Sequence, residues 1–112
     1  MPTPLCPKYE QAFQLLGKRW NGVIIRVLSN SPKRFSEIAE PIPQISNKIL
    51  TERLKELEAH GIIVREVYPE MPVRIEYRLT DKGHSLTPIL DEVQKWADEW
   101  LSQKESCGKS AK

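Results

Sequence analysis

Long hydrophobic runs are missing from this sequence, and so is an apolar leader. Apolar residues make up 39% of the chain, but no stretch approaches the ~18 consecutive apolar residues that a membrane-spanning helix requires. Residues 1–6 contain no basic segment followed by an apolar core, as a signal peptide would. We therefore expect a cytoplasmic protein that makes no contact with a membrane.

Cysteine and histidine are also scarce, with two residues of each type among 112. No Cys-x-x-Cys pair or histidine-rich tract is present, and His60 and His84 lie in different segments, so we expect no metal site. A reducing cytoplasm disfavours a structural disulfide. Cys6 and Cys107 are therefore expected to have either no role or a reactive one.

A large excess of charge of one sign is absent as well, since the formal net charge is only +2. The basic residues are unevenly distributed, however, because the first 34 residues contain six of them and a single acid, Glu10. A local positive field of this kind can hold the phosphates of DNA. On charge alone, a solvated basic surface explains the pattern equally well.

The hydrophobic pattern that is present begins with two helices. The first starts after Cys6 at Pro7, because proline suits the first position of a helix, and it ends at Gly17. The second has the i, i+3, i+4, i+7, i+8 spacing of an amphipathic helix, with apolar positions at Trp20, Val23, Ile24, Val27 and Leu28.

The middle of the sequence has the pattern of a helix-turn-helix. A helix of little more than one turn covers Phe35–Glu40, and the sequence Pro-Ile-Pro that follows cannot continue it. Ser46 is a good N-cap for a longer helix from Asn47 to about His60, after which Gly61 supplies the left-handed residue. Two helices joined by a short turn of this size are typical of DNA-binding motifs.

The hydrophobic period then changes to that of a β-hairpin. Ile63–Tyr68 and Val73–Leu79 are predicted strands, and a proline-flanked tip joins them. The predicted fold is therefore mainly α with a two-stranded β wing, a winged helix-turn-helix. We expect one domain over residues 6–103 and a flexible polar tail over residues 104–112.

A terminal helix after Pro88 carries a continuous apolar stripe. Val93, Trp96 and Trp100 are its central members, and the opposite face is charged. This stripe is large for a helix at the edge of a thin domain, so we interpret it as a dimer interface. Packing of the stripe on the chain's own core is the alternative.

Several motifs together are similar to one known family. They are Cys6-Pro, Leu16-Gly-Lys-Arg-Trp20, Lys33-Arg-Phe-Ser-Glu37, Leu50-x-x-Arg-Leu-x-x-Leu57, Gly61-Ile and Tyr77-x-Leu-Thr-x-x-Gly83. In this order, over residues 6–101, they resemble the HxlR-type regulators, a branch of the MarR-like winged-helix proteins. Within that family the chain resembles the repressors that sense quinone and disulfide stress. The resemblance implies a homodimer on double-stranded operator DNA, with no metal and no organic cofactor.

The recognition helix is expected to begin at Asn47. If its leucines face the core, Lys48, Thr51, Glu52 and Lys55 point outward and Arg53 lies at the flank. Glu52 either pairs with Lys48 or accepts from a cytosine amine. Helix N-termini and the wing add phosphate contacts. The predicted DNA-binding residues are Ser36, Ser46, Asn47, Lys48, Thr51, Arg53, Lys55 and Arg74.

Cys6 is the predicted chemical centre. At the N-cap of the first helix, the helix dipole and nearby Lys8 favour the thiolate, which attacks quinones and other electrophiles. The resemblance assigns the sensor thiol to this Cys-Pro cysteine, whose modification by small electrophiles releases DNA. Cys107 either resolves oxidised Cys6 of the other subunit or is a bystander. A small residue with no role is the plain alternative for Cys6.

We expect a thiol-controlled, DNA-binding repressor rather than an enzyme, because no histidine or acid in the sequence is placed to act as a base for Cys6. Two alternatives remain open at this point. The first is a winged helix that binds another protein. The second is a DNA-binding regulator whose signal does not involve a thiol.

Overall fold

The computed structural model describes residues 6–101, and the expected order of elements is confirmed. Cys107, residues 102–103 and the predicted tail lie outside the described residues. The elements are α1 (Pro7–Leu16), α2 (Asn21–Leu28), α3 (Phe35–Ala39), α4 (Asn47–Ala59), β1 (Ile63–Tyr68), β2 (Arg74–Leu79), α5 (Asp81–His84) and α6 (Thr87–Trp100).

The helix-turn-helix comprises α3 and α4, and each helix begins with a hydrogen bond to a backbone N–H. The Glu37 carboxylate accepts from the Arg34 amide at 2.8 Å, and the Ser46 hydroxyl accepts from the Ile49 amide at 3.1 Å. The turn between the helices is part of the core, because Ile42 and Ile45 are buried in it. The sequence pattern had identified this turn only as a helix stop.

The core lies between α2, α4 and the base of the wing. The predicted stripe of α4 is confirmed, since Leu50, Leu54 and Leu57 are buried. The predicted stripe of α2 is partly wrong: Val23 is exposed, whereas Ile25 is fully buried. The buried face of this helix follows the spacing i, i+3, i+4, i+7 from Asn21, because neighbouring elements cover α2 on that side.

The wing is an antiparallel hairpin whose register runs from Ile63 opposite Leu79 to Tyr68 opposite Arg74. The connector before α3 extends the sheet, because Lys33 and Tyr77 exchange two backbone hydrogen bonds of 2.9 and 2.8 Å. The hairpin was predicted with two strands only. The extra bridge ties the start of the helix-turn-helix to the wing.

A close approach of two backbones fixes the wing to α5. The Thr80 hydroxyl donates to the Gly61 carbonyl at 2.6 Å and accepts from the Gly83 amide at 3.1 Å. A Cβ on Gly83 would overlap the carbonyl oxygen of Ile62. The spacing Thr-x-x-Gly therefore has a structural cause, since only glycine fits where α5 begins.

Candidate DNA-binding surface and sensor helix

The outward face of α4 carries the predicted recognition side chains. Lys48, Thr51 and Lys55 are exposed, and the Thr51 hydroxyl donates to the Asn47 carbonyl at 2.8 Å. Neither lysine forms an ion pair with any residue between 6 and 101, and none joins Lys48 to Glu52. These ammonium groups are therefore available to a polyanion.

The two serines that begin the helices of the motif occupy different positions. Ser46 is the N-cap of α4, and its hydroxyl already accepts from the Ile49 amide. Ser36 is exposed in the first turn of α3. Asn47 is exposed as the first residue of α4, so the helix N-termini of the motif are open to solvent.

Arg53 faces a different part of the molecule from the lysines. Its side chain is only 16% exposed, and its Nε donates to the Arg19 carbonyl oxygen at 3.2 Å. Its Nη1 lies 3.9 Å from a carboxylate oxygen of Glu56. The structure therefore places the guanidinium against the turn between α1 and α2.

Arg74, the predicted cation of the wing, is held between two carboxylates. Its guanidinium donates to Glu70 at 2.8 Å and to Glu76 at 2.7 Å, and it stacks 4.0 Å from the centre of the Tyr68 ring. The hydrogen bonds to Glu70 and Glu76 raise the pKa of Arg74, and the hydrogen bond from Arg74 lowers the pKa of Glu70. The charge of Arg74 is thus compensated within the wing.

Arg34 adds a cation that the sequence interpretation did not assign to DNA. Its positive charge contributes to the lowered pKa of Glu70, after the larger effect of Arg74, which places Arg34 near the wing tip. Its side chain is exposed at the N-cap of α3. The basic pair Lys33-Arg34, directly before the helix-turn-helix, was the signal in the sequence.

Cys6 lies at the N-cap of α1, and the residue is exposed to solvent. No side chain caps this helix, and the Cys6 carbonyl accepts from the Glu10 amide at 3.1 Å. Its backbone is extended, with φ −81° and ψ 123°. A reagent in solution can therefore reach the residue that precedes the first turn of α1.

Helix α1 has no buried residue, and its apolar surface is open. Tyr9 and Phe13 are more than half exposed, and their rings meet edge to face with centroids 5.0 Å apart. Only the C-terminal end of the helix is held, because Leu15 and Leu16 pack on the core and the Asn21 amide donates to the Leu15 carbonyl at 2.8 Å. The end that carries Cys6 therefore has little to hold it in the monomer.

Residues 17–20 connect α1 to α2 and also contact α4. The Lys18 ammonium lies 3.3 Å from the Glu56 carboxylate, and the Arg19 carbonyl accepts from Arg53. We call these two interactions the turn–helix contacts. Trp20 completes the turn with φ 82°, a left-handed conformation that costs a bulky residue about 1–3 kcal/mol. Nothing in the sequence pattern indicated these contacts.

Helix α6 likewise has no buried residue. Val93, Trp96 and Trp100, the three predicted interface residues, are 58%, 58% and 66% exposed. The helix is attached to the domain by Leu90, which packs on the core, and by an ion pair of 3.0 Å between Arg26 and Asp91. The chain's own core thus leaves the central part of the apolar stripe uncovered.

Two further searches of residues 6–101 gave negative results. No group of three or more histidine, cysteine, aspartate or glutamate side chains in this range could hold a metal ion. None of the helices described is long and apolar enough to cross a membrane.

Comparison with known proteins identifies relatives along most of the chain. Residues 15–105 match the model of the HxlR-like helix-turn-helix family. The chain is 57% identical, over 100 residues, to the HTH-type transcriptional regulator YodB of Bacillus subtilis strain 168, an alignment that covers 89% of each protein.

Solved structures give the same result. The reduced form of YodB superposes with a TM-score of 0.81 at 55% identity, and covers 91% of this chain and 100% of that one. YodB has also been solved after diamide treatment and with quinone bound, and both structures give a TM-score of 0.76. The oxidised redox regulator HypR superposes at 0.80 with 36% identity, covering 88% of this chain and all of that one.

Proposed function

The chain belongs to the HxlR-like helix-turn-helix family of transcriptional regulators, and we propose that it is a homodimeric repressor whose operator affinity falls when Cys6 is modified. One observation carries the proposal. An exposed cysteine begins a helix that is held only at its far end, and the turn at that end contacts α4 through the turn–helix contacts. The diamide-treated and quinone-bound structures of YodB support the choice of signal.

Operator binding is assigned to α4 in the major groove. Lys48 and Lys55 reach guanine or phosphate, and Asn47 and Thr51 offer groups that pair with adenine or meet a thymine methyl. Ser36 and Ser46 present helix N-termini to the backbone phosphates. Arg74 reaches a phosphate only by exchanging one of its carboxylate partners, so its contribution is expected to be small.

Dimerisation is assigned to the two exposed apolar helices. Helices α1 and α6 have no buried residue, although each carries large apolar side chains. A second copy of the chain would cover both surfaces about a twofold axis, and Val93, Trp96 and Trp100 would lie at its centre. The dimer then reads two half-sites about 34–36 Å apart.

The signal is a reaction of the Cys6 sulfur. With a quinone, the thiolate adds to a ring carbon, a C–S bond forms, and the ring is reduced to a hydroquinone thioether after proton transfer to oxygen. With diamide, two thiols are oxidised to a disulfide while the N=N bond is reduced to a hydrazine. Cys107 of the partner subunit is the proposed second thiol.

Transmission follows α1 to the recognition helix. An adduct or a disulfide at Cys6 displaces α1, and the turn–helix contacts pass that displacement to Arg53 and Glu56 on α4. A shift of an ångström or two changes the spacing of the two recognition helices, so both half-sites lose register together. Two decades of affinity correspond to about 3 kcal/mol of differential binding, which a few such contacts can supply.

Fluorescence anisotropy on a duplex from the chain's own upstream region tests the DNA assignment. Lys48→Ala should weaken binding by about 1–3 kcal/mol if it contacts a base, or weaken it less and lower the salt slope by about one if it contacts phosphate. Lys95→Ala, which removes a lysine from α6, is the matched control. A duplex that binds without salt dependence would favour the alternative of a protein-binding module.

Arg53→Ala in the same assay separates two roles for this residue. Loss of affinity with an unchanged salt slope is expected, because the guanidinium positions α4 from inside the protein. A slope lowered by about one would instead make Arg53 a phosphate contact, as its place at the flank of the recognition helix predicted.

A further inference from the structure

A cavity of about 540 Å³ lies between α1, the C-terminal end of α4 and α5. None of the roles proposed above uses it. Its volume falls within the range of about 300–1,000 Å³ typical of sites for small organic ligands. The cavity is half open, so a ligand can enter from solvent without unfolding a helix.

The walls of the cavity combine an apolar surface with an excess of positive charge. The apolar part comes from both helical layers: Ala12, Leu15, Leu16, Ile62 and Leu86. The ionisable side chains are Lys8, Lys18, Lys82, His60 and Glu56. Three ammonium groups therefore face one carboxylate, which favours an anionic occupant.

The lysines of the cavity keep donors free for such a ligand. Lys82 donates one hydrogen bond of 2.7 Å to the His60 carbonyl, and Lys18 donates one of 3.3 Å to Glu56. Lys8 makes no ion pair within the part of the chain that the structure describes. Each ammonium has three N–H donors, so none is saturated by these contacts.

We propose that this cavity is a binding site for a small monocarboxylate with an apolar body, of about the size of benzoate. The carboxylate lies at the rim against the ammonium groups of Lys8 and Lys82, and the apolar body lies against the leucines. The charge excess specifies the anion, and the leucine walls specify the body. The inference goes beyond the proposed function, because binding requires neither DNA nor Cys6.

The position of the cavity gives such a ligand access to the regulatory helices. One wall is α1, and the opposite wall includes Glu56 of α4, which forms one of the turn–helix contacts with Lys18. A bound carboxylate competes with Glu56 for Lys18. The occupant is therefore a reversible effector that adjusts the same α1–α4 relationship as modification of Cys6.

Isothermal titration calorimetry of the full chain with sodium benzoate, in the absence of DNA, tests the site. Saturable binding with one ligand per chain is expected, and benzyl alcohol should bind at least about tenfold more weakly because it lacks the charge. Lys8→Met should weaken benzoate binding by about tenfold. Lys95→Met, which removes a lysine on α6 away from the cavity, should leave it unchanged.

Ala12→Trp provides a second variant that does not alter charge. Ala12 is exposed on a helix without buried residues, so the substitution should leave the fold intact while its indole fills the cavity. Benzoate binding should then be lost, with an unchanged circular dichroism spectrum.

Three results would overturn the proposal: no saturation up to about 10 mM benzoate, equal affinity for benzyl alcohol, or full binding by both Lys8→Met and Ala12→Trp. Because none of these measurements involves DNA, they stand or fall separately from the repressor assignment.

Discussion

The exposed tryptophans of α6 allow the strength of the proposed dimer to be calculated. A tryptophan side chain can bury about 250 Å², and Trp96 is 58% exposed, so about 145 Å² of it is available to a partner. At 25 cal/mol per Å² this area corresponds to about 3.6 kcal/mol, of which alanine would retain a small part. Trp96→Ala therefore removes about 3 kcal/mol from each side of the interface.

A twofold interface contains the substitution twice, which doubles the loss to about 6 kcal/mol. Area overestimates affinity in protein association, because ordering of side chains opposes binding. We therefore expect the dissociation constant of the dimer to rise at least about 100-fold, or about 2.7 kcal/mol. The fold should survive, since no residue of α6 is buried in the core.

Sedimentation velocity over a range of concentrations measures the effect. The unmodified chain should sediment as a dimer at about 1 µM, and Trp96→Ala should shift toward the monomer. Met71→Ala is a matched control, because Met71 is the most exposed large hydrophobic residue described and lies at the wing tip. A monomeric unmodified chain, or a Trp96→Ala variant that dimerises fully, would refute the assignment.

Two further variants test the fold and its electrostatics. Gly83→Ala should lower the free energy of unfolding by about 2 kcal/mol in urea titrations, because its Cβ overlaps a backbone carbonyl, and unchanged stability would contradict the close approach. The Arg78 guanidinium lowers the pKa of Glu66 below its ordinary value of 4.5, so Arg78→Gln should raise it in an NMR titration. Because the folded-state pKa is the lower one, this contribution to stability is present above pH 4.5 and is lost as the pH falls through the folded-state pKa, whereas an unchanged pKa in Arg78→Gln would argue against the ion pair.

The order of elements could be read from the sequence because local signals were strong and agreed. The leucine spacing of α4, its N-cap at Ser46 and its left-handed Gly61 all indicate the same helix, and the structure contains it within a residue of the predicted end. The wing follows from an equally local change of period, which alternation along Arg74–Leu79 makes clear.

The orientation of Arg53 and Arg74 could not be predicted in the same way. Arg53 lies at the flank of the α4 stripe, so its direction depends on whether another element packs beside it, and residues 17–20 do. Arg74 meets Glu70 only because the hairpin tip folds back on the strand. Both interactions depend on tertiary neighbours that helical or strand spacing does not specify.

The burial of α2 shows a different limit. The apolar run Val23–Val27 contains more hydrophobic residues than one helix face can hold, so periodicity alone allowed Val23 in place of Ile25. The outcome depends on which sides of α2 are covered within one chain. Val23, which that packing leaves exposed, lies on a helix that α6 also contacts.

Operator affinity of the unmodified chain and of Cys6→Ser, each before and after treatment with benzoquinone or diamide, tests the central claim most directly. Both proteins should bind equally before treatment, and only the unmodified chain should lose at least about 100-fold in affinity afterwards. Cys107→Ser should lose disulfide formation but still respond to the quinone, with mass spectrometry locating the adduct on Cys6. A Cys6→Ser protein that still releases DNA on treatment would contradict the account and leave the repressor without this signal.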